Sequence, residues 1–90
     1  MHFSSILVTA VPSSFTQCIE ELNSLPGVEV QLKYPNHGRL VVTQETTTMQ
    51  EQQDGFRRIQ TLPDVLGAEL VYHYHDLSKE KGAVSRDNTG

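Results

Sequence analysis

The sequence predicts an α+β domain in which four strands and two helices follow one another as βαββαβ. Three observations predict it. A helix, a Leu-Pro turn and a strand occur twice: Leu25-Pro26-Gly27-Val28 aligns with Leu62-Pro63-Asp64-Val65, and Leu22 then falls on Ile59. Each copy carries apolar residues at helical spacing before its proline and strand-forming residues after it. Between the copies, Tyr34-Pro35-Asn36-His37-Gly38 is a hairpin signal joining two further strand candidates.

Residues 3–11 form the first strand. Ile6, Val8 and Ala10 share one side, and Leu7, Thr9 and Val11 the other. Both sides are partly apolar, which predicts a central strand covered on both faces. Pro12 ends it. A helix begins at Ser14, where Ser14-Phe15-Thr16-Gln17 fits a capping box. Phe15, Cys18, Ile19, Leu22 and Leu25 make its apolar stripe, with Glu20 and Glu21 toward solvent. Pro26-Gly27 stops it.

Residues 28–33 alternate, with Val28, Val30 and Leu32 inward and Glu29, Gln31 and Lys33 outward. Gly38 supplies the positive φ that the hairpin turn requires. Residues 39–45 return with Leu40 and Val42 inward and Val41 and Thr43 on the opposite face. Thr48-Met49-Gln50-Glu51 is a second capping box. Met49, Phe56, Ile59 and Leu62 are the inward stripe of the helix it opens, interrupted by Gln52 and Gln53. Residues 65–74 are the fourth strand, with Tyr72 at the core or its rim. From 77 to 90 the chain is polar and small, which predicts a disordered tail after a domain spanning 1–76.

This order is the split βαβ, or ferredoxin-like, pattern. Right-handed crossovers put both helices on one face of a four-stranded antiparallel sheet. The second face has no helix to cover it. It would expose Leu7, Val41 and Val71, and such a patch implies a partner.

The residues exclude several kinds of chemistry. A net charge of −4 suits a nucleic-acid backbone poorly. The first and third strands also place no aromatic on the open face for base stacking. Cys18 is the only cysteine, so an internal disulfide and a thiolate zinc cluster are excluded; on an apolar helix face it reads as core. His73 and His75 have the spacing of a metal pair but no third ligand at a fixed offset, so no metal site is assigned. A phosphate-binding glycine loop and a Gly-x-Ser-x-Gly elbow are both missing, and no catalytic residue is assigned. No stretch approaches the ~20 apolar residues of a membrane helix, and the first residues lack a signal-peptide pattern. A cytoplasmic protein without stable membrane insertion is expected.

Ser4-Ser5-Ile6-Leu7-Val8, Leu25-Pro26-Gly27-Val28-Glu29-Val30, Gly38-Arg39-Leu40-Val41-Val42 with Glu45, and Ile59-Gln60-Thr61-Leu62-Pro63-Asp64-Val65-Leu66 with Leu70-Val71-Tyr72-His73 together resemble the NapD family. These are cytoplasmic chaperones of the periplasmic nitrate reductase catalytic subunit. The resemblance covers about residues 3 to 76 and departs at Asp64, where the family usually has Gly. It implies a ferredoxin-like fold, no enzymatic activity and no cofactor. It also implies binding of the precursor's twin-arginine signal peptide, which holds back export until the molybdenum cofactor is loaded. On the uncovered face, Leu7, Thr9, Val41, Thr43, Glu69, Val71 and His73 are the expected peptide-binding residues, and Glu29 and Glu45 are further candidates to meet arginines. A second reading, from another class, is a small-molecule-sensing regulatory domain of the same fold acting as a dimer.

Overall fold

The computed structural model describes residues 1–75. Its elements are β1 (His2–Ala10), α1 (Phe15–Asn23), β2 (Val28–Tyr34), β3 (Arg39–Thr46), α2 (Met49–Gln60) and β4 (Val65–His75), with short 3-10 turns at Pro12–Ser14 and Pro35–His37. The expected tail, 77–90, lies outside the described residues.

The strands form one antiparallel sheet in the order β2-β3-β1-β4. β1 and β3 are paired so that Ile6 faces Val42 and Val8 faces Leu40. Cross-strand partners share a face, so the inward residues of both central strands meet on one side. There they are sealed by Cys18 and Leu22 of α1 and by Ile59 of α2, with Val28 and Val65 from the edge strands. α1 packs on β2, and α2 lies across β3, β4 and β1. This is the ferredoxin-like arrangement the sequence predicts. One expectation for β1 fails: its residues alternate between buried and half-buried, because both helices take the same side. Among the described residues, β1 is central but covered on one face only.

The two capping boxes have different outcomes. Thr48 is extended, at φ −126° and ψ 157°, and its hydroxyl accepts from the Glu51 amide at 3.0 Å. The Glu51 carboxylate accepts in turn from the Thr48 and Thr47 amides, at 3.3 and 3.1 Å. The Thr47 hydroxyl, which donates to the same carboxylate at 2.7 Å, and then these amide bonds hold the Glu51 carboxyl below its ordinary range. Ser14 makes no such bond. It is the last residue of a 3-10 turn, at φ −120° and ψ 24°, away from the extended geometry that a capping hydroxyl needs. Gln17 donates instead to Glu21. Thr48→Ala should therefore lower unfolding stability by about 1 kcal/mol, and Ser14→Ala by a few tenths at most. Equal losses for the two variants in urea melts would contradict this account.

α2 differs from its predicted stripe. Met49 is 42% exposed, and Gln52 is buried in its place. Gln52 is one turn from Phe56, so the helix turns it under the sheet side. It accepts from the Thr46 hydroxyl at 2.5 Å, and its side-chain amide bonds Ser4 of β1. The Gln44 side-chain amide donates to the Gln52 backbone carbonyl at 3.1 Å. A buried glutamine is tolerated only when so partnered. Gly55 makes the room: a Cβ there would lie 1.8 Å from the Gln44 side-chain oxygen.

Candidate functional site

The face opposite the helices is built from the residues that alternate away from the core. Three bulges decide which residues these are; the first in β4 leaves Leu66 extra, since Val65 pairs with Ala10 and Gly67 with Thr9. In β2, Val30 pairs with Val42 but Leu32 pairs with Val41, so Gln31 is an extra residue. In β4, Leu70 pairs with Ile6 but Tyr72 pairs with Ser5, so Val71 is extra. An extra residue reverses the side on which every later residue falls.

The consequences correct three expectations. Leu32 is not inward: it stands beside Val41 and is 50% exposed. Tyr72 is not at the core: it stands beside Ser5 on the open side and is 58% exposed. His73 does not join the open face. It pairs with Ser4, whose side chain is buried toward the helices. Its ring lies parallel to that of His2, with His2 Nδ1 and His73 Nε2 3.4 Å apart, so one imidazole donates to the other.

Read across the sheet from β2, the open face has four rows. The first is Tyr34, Arg39, Thr9 and Gly67; the second is Leu32, Val41, Leu7 and Glu69. The third is Glu29, Thr43, Ser5 and Tyr72, and the fourth is Glu45, Phe3 and Tyr74. Of the expected site residues, Leu7, Thr9, Val41, Thr43 and Glu69 are thus brought together. Val71 sits unpaired at the β4 rim and is 63% exposed. The second row is an apolar strip three strands wide. Gln31 reaches across to donate to Thr43 at 3.1 Å.

The fourth row brings in side chains that sequence reasoning missed. The Phe3 and Tyr74 rings stack with centroids 5.0 Å apart, and Tyr72 tilts against Tyr74 at 5.4 Å. Phe3 was legible, since it shares its parity with Leu7; Tyr72 and Tyr74 share the side of Glu69 only through the bulge at Val71. The absence of aromatics therefore no longer argues against nucleic acid. The charge still does: among the described residues of the face, Glu29, Glu45 and Glu69 stand against Arg39 alone. Beyond Glu29 and Glu45, an open cleft of about 1270 Å³ continues around the end of β3 past Glu51 and Asp54.

The helix side carries its own electrostatic feature. Glu21, expected in solvent, is half-buried, and its Oε1 and the Asp64 Oδ2 are enclosed without hydrogen-bond partners. Burial first, and then the neighbouring Asp64 carboxyl, push the Glu21 carboxyl above its ordinary range. Burial, with Glu21 and Asp64 adding repulsion, pushes the Cys18 thiol up to about 11, so this cysteine is an unreactive core residue. A carboxyl raised in the folded state costs stability above its folded pKa and nothing once both states are protonated. Glu21→Gln should therefore melt later than the parent at pH 7, and the gap should close as the pH falls through the ordinary carboxylate range. A gap that does not change with pH would refute the coupling.

Fold and face together define a ferredoxin-like domain whose second sheet face, half apolar and rimmed by carboxylates, is left open by the described residues. A sheet face of this kind is a surface on which a partner can dock. The chain belongs to the NapD protein family, whose profile matches residues 1–77. Among curated proteins none matches it. Two solved structures are similar. One is the solution structure of the E. coli Tat proofreading chaperone protein NapD, at 24% identity and a TM-score of 0.75, covering 96% of this chain and 90% of that one. The other is hypothetical protein PHS023 from Pyrococcus horikoshii, at 21% identity and a TM-score of 0.71, covering 83% and 90%. At these identities the likeness establishes the fold. No helix among the described residues is long and apolar enough to cross a membrane.

Proposed function

We propose that this chain is a cytoplasmic, non-enzymatic chaperone that binds the twin-arginine signal peptide of the periplasmic nitrate reductase catalytic subunit precursor. Its binding domain is residues 1–76, and it delays export until the molybdenum cofactor is loaded. Family membership and the likeness to a Tat proofreading chaperone support this reading. The observation that carries it is the second row of the open face, Leu32, Val41 and Leu7, bounded by Glu69 and by Glu29 and Glu45 of the next rows. A twin-arginine leader is basic and then moderately apolar. Folded as an amphipathic helix, it supplies the third layer that the sheet lacks.

Burial of the apolar row gives the affinity, less the entropy of ordering the peptide. The carboxylates give steering and register, since exposed charges contribute little once screened. Calorimetric titration of the full chain with the precursor's leader peptide tests the reading. Saturable binding that weakens but persists from low to high salt is expected. No heat and no shift of the open-face amides on saturation would overturn it.

A further inference from the structure

The open face is not uniformly acidic, and its aromatic residues are not spread evenly. Both features meet in the fourth row, where Glu45 stands beside Phe3 and Phe3 stacks on Tyr74. Tyr72 extends the aromatic surface, and Glu29, diagonal to Glu45 across the β2–β3 ladder, adds a second carboxylate. The opposite end of the face differs. Its first row carries Arg39 beside Thr9 and Tyr34, which repels a cation. Glu69 has Leu7 as its cross-strand neighbour and lies outside the Phe3–Tyr74–Tyr72 cluster.

A carboxylate beside a half-exposed aromatic stack is chemically selective. A guanidinium is planar and weakly hydrated, so it can lie on an aromatic ring while its fork donates in plane to a carboxylate. An ammonium is a compact, strongly hydrated point charge and gains little from the ring. We propose that the row Glu45–Phe3–Tyr74 is an arginine seat that discriminates guanidinium from ammonium. The docked peptide then lies with its arginines at this end of β1 and β3 and its apolar part over Leu32, Val41 and Leu7. The inference rests on the peptide-binding reading above and adds to it the peptide's direction and the groups that read its arginines.

The test uses the full chain and two synthetic leader peptides, one with consecutive arginines and one with both replaced by lysine. The arginine peptide should bind about tenfold more tightly. Tyr74→Leu should bring the two affinities together, mainly by weakening the arginine peptide, and Phe3→Leu should do the same from the other side of the stack. Glu45→Gln should weaken both peptides and flatten their salt dependence, while Glu69→Gln should leave the arginine-to-lysine ratio unchanged. A nitroxide at the arginine end of the peptide should broaden the amides of Glu45 and Tyr74 and spare that of Arg39. Equal affinities in the parent, or a ratio untouched by both Tyr74→Leu and Phe3→Leu, would overturn the seat. If both peptides bind equally and Val41→Glu still abolishes binding, the seat alone falls. If neither peptide binds, the peptide-binding reading falls with it.

Discussion

Val41→Glu is expected to abolish binding of the signal peptide while the domain stays folded. Val41 is in the middle of the apolar row, with Leu32 on one side and Leu7 on the other. It is half-buried and on the helix-free side, so the new carboxylate points to water in the free protein. Under a docked helix the same carboxylate loses that water and finds apolar neighbours. Burying an unpaired charge costs several kcal/mol even after relaxation, and the valine's own apolar contact is lost as well. About 3 kcal/mol corresponds to more than a hundredfold in affinity, which moves a micromolar complex out of the measurable range.

Val71→Glu should have the smaller effect, because Val71 is at the rim and half-open to solvent beyond it. Leu70→Glu is the control. Leu70 is also exposed, yet it pairs with Ile6 and belongs to the helix side, so affinity should not change. Normal affinity in Val41→Glu, with an unaltered fold, would place the partner elsewhere, for example along the edge of β2 or β4.

Gly27→Ala should give a large loss of stability. Gly27 has φ +72°, which costs an L-residue about 1 kcal/mol or more. A Cβ there would also come within 2.3 Å of the Glu45 carbonyl oxygen. That contact is backbone to backbone, and the Glu45 amide donates to the Gly27 carbonyl at 2.9 Å, so neither segment can withdraw without losing a bond. The expected destabilisation is about 3 kcal/mol. Gly67→Ala provides the contrast, since nothing lies within 4 Å of a Cβ at that position. A near-parental urea midpoint for Gly27→Ala would mean that the start of β2 and the end of β3 are more loosely joined than these contacts imply. The same junction holds Glu29 and Glu45 at one end of the open face, so this variant should weaken peptide binding too.

Much of the fold was legible because it depends on local pattern. The Leu-Pro punctuation ended both helices, and the Tyr34-to-Gly38 turn made the hairpin, with Gly38 at φ +64°. The Thr48 capping box formed because an extended residue precedes a clean helix start. Its counterpart at Ser14 has the same residue pattern, and failed because Pro12 first drew the chain into a 3-10 turn. Gln52 read as a flaw in an apolar stripe. Its partners, Ser4 and Gln44, are on distant strands, and no local rule could supply them.

The chain by itself determined the order of elements, the single hydrophobic face of each helix, and the fact that two helices cannot cover both sides of four strands. It therefore determined that an open face exists. Which residues occupy that face was decided only by tertiary pairing. Side chains alternate with a period of two, so each unpredicted bulge, at Gln31, Leu66 and Val71, exchanged the sides for the residues after it. Leu32, Tyr72 and Tyr74 came out to solvent and His73 turned toward the helices. A bulge is set by how a twisted strand fits its neighbour, and a single strand's sequence carries no record of that fit.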